Sequence, residues 1–123
     1  MDTRSKIVEA TVAEKRMGEW LGAGAAVDLV VGAFDPLLAA HVKDLEDAVR
    51  PGARVVVILL SRAQATMPRK DRLELVAALR SVDLVIGDGV PQPPPQARVL
   101  DMRETHERRA ASFVEYVRQR NTP

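Results

Sequence analysis

Three short runs of aliphatic residues constrain this 123-residue chain more than any other feature: residues 27–32 (Val-Asp-Leu-Val-Val-Gly), 55–60 (Val-Val-Val-Ile-Leu-Leu) and 82–86 (Val-Asp-Leu-Val-Ile). Each is nearly all apolar, as a strand buried on both faces must be. The stretches between them carry helical periodicity. Ile7, Ala10, Ala13, Met17, Trp20 and Leu21 predict an amphipathic helix over 6–21 that ends at Gly22-Ala-Gly24. Leu38, His41, Val42, Leu45, Ala48 and Val49 trace one face of a second helix, which Pro51-Gly52 stops. Residues 69–80 predict a third helix and 103–120 a fourth, with Ala110, Phe113, Val114 and Val117 as its stripe. Residues 87–96 hold four Pro and cannot sit in a ladder, whereas 97–100 fits a short further strand. Strands that alternate with helices imply an α/β fold with a parallel sheet covered on both faces. The expected architecture is a Rossmann-like three-layer sandwich of four or five strands, with residues 1–123 as a single domain.

Composition narrows the function classes. Hydrophobic residues make up 46% of the chain, which suits a globular core. Aromatic residues make up only 3%, so that core must be aliphatic. Lys plus Arg is 18 against 17 for Asp plus Glu, a formal charge of +1 that points to neither nucleic acid nor an acidic membrane. The chain has no Cys, which excludes disulfides and thiolate chemistry. His41 and His106 alone make a His-based zinc site improbable, and no metal ligand is assigned. No apolar run is as long as a membrane span, and the start is polar, so a cytoplasmic protein is expected.

Residues 29–46, Leu-Val-Val-Gly-Ala-Phe-Asp-Pro-Leu-Leu-Ala-Ala-His-Val-Lys-Asp-Leu-Glu, resemble the signature of the cytidylyltransferase-like nucleotidyltransferases. In that family a buried strand ends in Gly-x-Phe-Asp-Pro-x-His-x-Gly-His and a helix follows. Gly32, Phe34, Asp35, Pro36 and His41 fall on the pattern, whereas Leu38 replaces the first His and Ala40 the Gly. The stretch 72–86 is similar to the family's Arg-x-x-x-Leu-x-x-Leu-x-x-Val-Asp-x-Val, and 6–20 to the segment ahead of the nucleotidyltransferase domain of ADP-heptose synthases. The resemblance covers about residues 6–86. The family's Ser-Thr-rich C-terminal motif has no counterpart, and Leu59-Leu-Ser-Arg62 replaces a strand end of the type Val-Asn-Ser-Asp.

The resemblance implies transfer of a nucleotidyl group from CTP or ATP, with Mg²⁺, to a phosphate-bearing acceptor. It also implies a homodimer. Carried over by position, His41 is the catalytic donor to phosphate, and Gly32, Ala33, Phe34, Asp35, Lys70 and Arg72 line the nucleotide site. Leu38 can donate no hydrogen bond, and one lost oxyanion donor costs roughly 10²–10³ in rate. Three readings stay open: a nucleotide-binding protein with weak or lost transfer, an active enzyme that uses Lys70, Arg62 or Arg103 instead, and a non-enzymatic homodimeric module. Plainer roles compete at single residues. Asp35 suffices as a helix N-cap, Arg72 as a surface partner of Asp71 or Glu74, Trp20 as a core plug, and the arginines of 103–120 as a solvated helix face.

Overall fold

The computed structural model describes residues 2–35, 39–61, 65 and 67–103. Elements follow in the order β1 (Ile7–Glu9), α1 (Ala10–Gly22), β2 (Val27–Gly32), α2 (Ala39–Ala48), β3 (Arg54–Leu59), α3 (Arg69–Ala77), β4 (Leu84–Asp88) and β5 (Arg98–Asp101). The five strands form one sheet in the order β1-β4-β3-β2-β5, and every pair is parallel. The α/β three-layer architecture expected from the alternation of aliphatic runs is the one observed.

Side chains alternate across the sheet and build two cores. Val30, Val55, Val57, Leu59 and Val85 face α2 and α3, where Leu45, Val76 and Ala77 meet them. Val27, Leu29, Val56, Leu84 and Ile86 face α1, where Ala10, Ala13 and Met17 meet them. Each such Val or Leu withdrawn from water stabilises the fold by about 1.5–3 kcal/mol. Steps toward the β1 edge, β2 to β3 to β4, use the α2/α3 face. Steps toward the β5 edge, β1 to β2, use the α1 face, so the crossovers share one hand.

Several boundaries differ from the sequence expectation. The helix expected over 6–21 starts only at Ala10. Thr3–Lys6 form a 3-10 turn and Ile7–Glu9 a strand. Ile7 pairs with Val85 and Val8 with Ile86, and their side chains enter opposite cores. Ile7 lies in phase with the helical stripe of α1, so periodicity alone could not exclude it. The pairing with β4 decides, helped by Gly87, where an added Cβ would stand 2.9 Å from Ile7 Cγ2. The third helix stops at Ala77 rather than residue 80, since Leu79 N–H bonds back to the Val76 carbonyl and Val82 N–H to that of Leu79. Lys6 Nζ caps this end, donating to the carbonyls of Leu79 and Val82. β4 begins at Leu84 rather than residue 82, because Asp83 turns its carboxylate to the backbone N–H of Val55. Trp20 is half-buried and packs against the margin of the second core, with the guanidinium groups of Arg16 and Arg54 at 4.9 and 5.5 Å from its ring centre. The helix expected over 103–120 lies outside the described residues beyond Arg103. Among the described residues no helix is long and apolar enough to cross a membrane.

Asp28 is the one charge inside the aliphatic run of β2 and is fully buried. It is held by Arg50, through backbone N–H and Nε at 2.7 and 2.8 Å, and by Arg98, through Nε and Nη2 at 3.1 and 3.0 Å. Burial opposes its ionisation, but the bonds from Arg98 and Arg50 outweigh it and hold the carboxyl below its ordinary range. The same two arginines cap neighbouring carbonyls, those of Val27 and Ala48. This cluster locks the amino end of the sheet, opposite the end where an α/β fold binds ligands.

Candidate functional site

In an open parallel sheet, ligands bind outside the carboxyl ends of the strands where the strand order reverses. Here that point lies between β2 and β5. From β2 the chain steps to β3 on one side, and it later returns from β4 to place β5 on the other. The turn 32–35 leaves β2 at this place. Gly32 is buried and its carbonyl accepts from Leu60 N–H at 2.9 Å, so the turn is anchored to the end of β3. Ala33 is half-buried.

Phe34 then adopts φ 49°, the left-handed region that costs an L-residue with a side chain roughly 1–2 kcal/mol. It is held there by packing. Its ring is fully buried among Val30, Leu45 and Leu59 and meets the His41 ring edge-on, with centroids 6.4 Å apart and planes at 83°. His41, from the first turn of α2, has no exposed surface. The two rings thus fasten α2 to the end of β2.

Asp35 is 2% exposed, and its Oδ1 accepts the backbone N–H of Met67 at 2.8 Å. The carboxylate therefore ties the β2 turn to the segment leading into α3. Residues 36–38 lie outside the described residues, so the N-cap role expected of Asp35 and the place of Leu38 both fall there. Ala40 is half-buried in α2.

Arg72 overturns its sequence reading as a wet surface residue. It is 2% exposed, and its guanidinium donates to backbone carbonyls: Nε to Met67 at 3.2 Å and Nη1 to Ala33 and Leu60, both at 3.0 Å. Arg69, one turn earlier on α3, donates to the carbonyls of Leu59 and Gly87 at 2.9 and 3.2 Å. Together the two arginines cross-link the carboxyl ends of β2, β3 and β4. Arg69 was not singled out in the sequence. The available signal was spacing, since Arg69 and Arg72 share a face at i,i+3 in the first turn of a helix that follows a strand end. Lys70, between them, is exposed.

On the β5 side, Arg103 folds back on Asp101. Its backbone N–H donates at 3.1 Å and its Nε at 2.9 Å, and these bonds hold the Asp101 carboxyl below its ordinary range. A groove of about 390 Å³ between α2 and β5 is lined by Asp44, Asp47, Ala48, Leu100, Asp101 and Met102. Its three carboxylates have the wrong sign for a triphosphate. Of the residues assigned from the sequence, Gly32, Ala33, Phe34, Asp35, His41 and Arg72 come together at the end of β2, and Lys70 stands on the helix that carries Arg72. Arg62 lies outside the described residues. Among the described residues no group of three or more His, Asp or Glu converges as a metal cage.

The chain is similar to the bifunctional protein HldE of Magnetococcus marinus, at 34% identity over 90 residues. The match takes in 66% of this chain but only 18% of that protein, so the chain spans under a fifth of the relative's length. No family model matches the chain. The similarity gives loose support to a nucleotidyltransferase-like kinship, in line with the Gly-x-Phe-Asp-Pro turn.

Proposed function

We propose that this chain is a nucleotidyltransferase-like protein that takes a nucleoside triphosphate at the carboxyl end of β2 and has weak or lost transfer activity. The observation that carries the reading is the placement of the 32–35 turn. It stands at the point where the strand order reverses, and a helix carrying His41 follows it. The similarity to HldE supports the same class. In the reaction of this class an acceptor oxygen forms a bond to the α-phosphorus of CTP or ATP, and the bond to the departing pyrophosphate breaks. Positioning and charge stabilisation are the main demands on the protein. Mg²⁺ would arrive on the triphosphate as part of the substrate.

Against robust catalysis stands the use to which the polar groups are put. His41 is fully buried against Phe34, and Arg72 gives its N–H groups to carbonyls. Leu38 supplies no donor. A thermal shift with CTP-Mg²⁺ and ATP-Mg²⁺, run beside a pyrophosphate-release assay, tests the reading. A ligand at 100 times its dissociation constant adds about 2.7 kcal/mol of stability. A shift without turnover supports the proposal; turnover transfers the chain to the active enzymes; no shift removes nucleotide from its function.

The commitment of these groups to the fold also favours a second reading, a non-enzymatic module that keeps the scaffold and self-associates. A homodimer by light scattering, together with no nucleotide-induced shift, would select it.

A further inference from the structure

The groove between α2 and β5 has an apolar floor and an acidic rim. Ala48 of α2, with Leu100 and Met102 at the end of β5, forms the floor, and all three also pack against the core under α2. Asp44 and Asp47, one turn apart on α2, form the rim together with Asp101. Lys43 pairs with Asp47 and Arg103 with Asp101, but both pairs are exposed and hold weakly. β5 is the edge strand of the sheet, so among the described elements α2 is the last helix of its layer on this side.

The chain itself leads to this groove. Met102 N–H donates to the Val31 carbonyl at 2.8 Å, which holds the end of β5 beside β2. Asp101 Oδ1 then accepts the N–H of Arg103, the bond that an N-cap makes to the second residue of a helix, and the backbone at Arg103 is helical. Residues 104–123 lie outside the described residues, but their sequence is the complement of the groove. Ala110, Phe113, Val114 and Val117 recur at the spacing of one helical face. At about 100° per residue, Arg109 and Arg120 fall along one edge of that face and Arg118 along the other.

We propose that this groove is the seat of the chain's own residues 104–120, with their apolar stripe on its floor and Arg109 against the α2 rim. Arg109 comes six residues after Arg103, and Asp44 and Asp47 come five and eight after the start of α2 at Ala39. A helix that turns back beside α2, as α2 does after β2 and α3 after β3, brings Arg109 about level with the two aspartates. The covalent tether gives this occupant an effective concentration that a separate molecule does not reach. The seat extends the layer of α2 and α3 over β5 and covers an edge strand, which folded proteins otherwise have to protect. The proposal does not depend on nucleotide binding.

The full chain has no Cys, so introduced pairs report contact without background. Ala48→Cys is combined in turn with Ala110→Cys or Val114→Cys on the stripe, and with Ser112→Cys or Glu115→Cys off it. A disulfide closes only where the two Cα atoms come within about 7 Å. Mild oxidation at low micromolar protein, followed by peptide mass mapping, reads the bond. At least one stripe pair is expected to close within the chain about tenfold faster than either pair off the stripe. Melting temperatures of the reduced variants close to that of the parent will certify the fold. No intrachain bond from the stripe, or equal rates on and off it, would overturn the proposal. So would bonds formed only between two chains, which would give the groove to a second copy. Trypsin supplies a reading that leaves the floor intact. Asp44→Asn with Asp47→Asn should speed cleavage after Arg109 by about threefold or more, and an unchanged rate would also overturn the proposal.

Discussion

Asp35 and Arg72 hold opposite ends of one residue. The Asp35 carboxylate accepts the N–H of Met67 at 2.8 Å, and Arg72 Nε donates to the Met67 carbonyl at 3.2 Å. A buried acid from the end of β2 and a buried base from α3 thereby fix the segment between β3 and α3, at the mouth of the candidate site. Arg72→Met keeps the aliphatic volume but leaves the carbonyls of Ala33, Leu60 and Met67 without this donor. It should cost about 3–5 kcal/mol, the range for breaking a buried charged network, read from urea unfolding. Arg72→Lys should recover little, since an ammonium cannot reproduce the fork. In a double-mutant cycle with Asp35→Asn, the coupling should exceed about 0.5 kcal/mol. Strict additivity would mean that the two residues act separately.

At Phe34 the usual ranking of Ala over Gly should invert. Both Phe34→Ala and Phe34→Gly forfeit a fully buried ring, at about 3–5 kcal/mol. Only Gly is at ease at φ 49°. Phe34→Gly should therefore be about 1 kcal/mol more stable than Phe34→Ala, whereas an ordinary position would favour Ala. Denaturation midpoints of the two variants decide the matter, and Ala ahead of Gly would show that the backbone there is unstrained.

Acid should unfold the protein through Asp28. Its folded-state pKa is depressed, so the unfolded chain binds the proton first. The stabilisation is complete above the unfolded value of about 3.9 and is lost as pH falls through the lower folded value. Urea midpoints measured from pH 7 down to pH 2.5 should therefore fall below about pH 4, and Asp28→Asn should flatten that decline. Asp101 is shifted the same way by Arg103, but its exposed pair contributes little. At pH 7 Asp28→Asn should cost about 2–3 kcal/mol, less than a fully buried pair, because Arg50 and Arg98 are each 40% exposed.

The strands were legible where both faces are buried, as in 27–32 and 55–60, because an apolar run needs no partner to be recognised. β1 was not legible, since Ile7 falls in phase with the helix that follows and only pairing with β4 reveals a strand. Asp28 was legible in principle. A carboxylate inside an aliphatic strand demands a partner, but the sequence does not say that Arg50 and Arg98, 22 and 70 residues away, supply it. The turn 32–35 was placed by its resemblance. The burial of His41 and Arg72 was not, because sequence spacing cannot tell a residue aimed at a ligand from one aimed at its own backbone.

Repair of the signature should separate binding from turnover. Leu38→His with Ala40→Gly restores the missing donor and removes a methyl from the first turn of α2. The family chemistry expects the restored His and His41 to act together on phosphate oxygens, but His41 is packed edge-on against Phe34 and has no exposed surface. One new donor should contribute about 1.5–3 kcal/mol to holding a triphosphate, the range for a hydrogen bond to a charged group. That corresponds to roughly 10- to 150-fold in dissociation constant, at 1.4 kcal/mol per factor of ten. Turnover should gain less, because the change leaves His41 packed against Phe34 and the Arg72 N–H groups on backbone carbonyls, so few further donors are added for the transition state. Isothermal titration with CTP-Mg²⁺ and ATP-Mg²⁺, beside pyrophosphate release, measures both quantities on the parent and the double variant. A variant that gains turnover without affinity would show that the replaced His acts on the transition state alone. Robust turnover by the parent, with a sugar or polyol phosphate as acceptor, would place the chemistry on residues other than these.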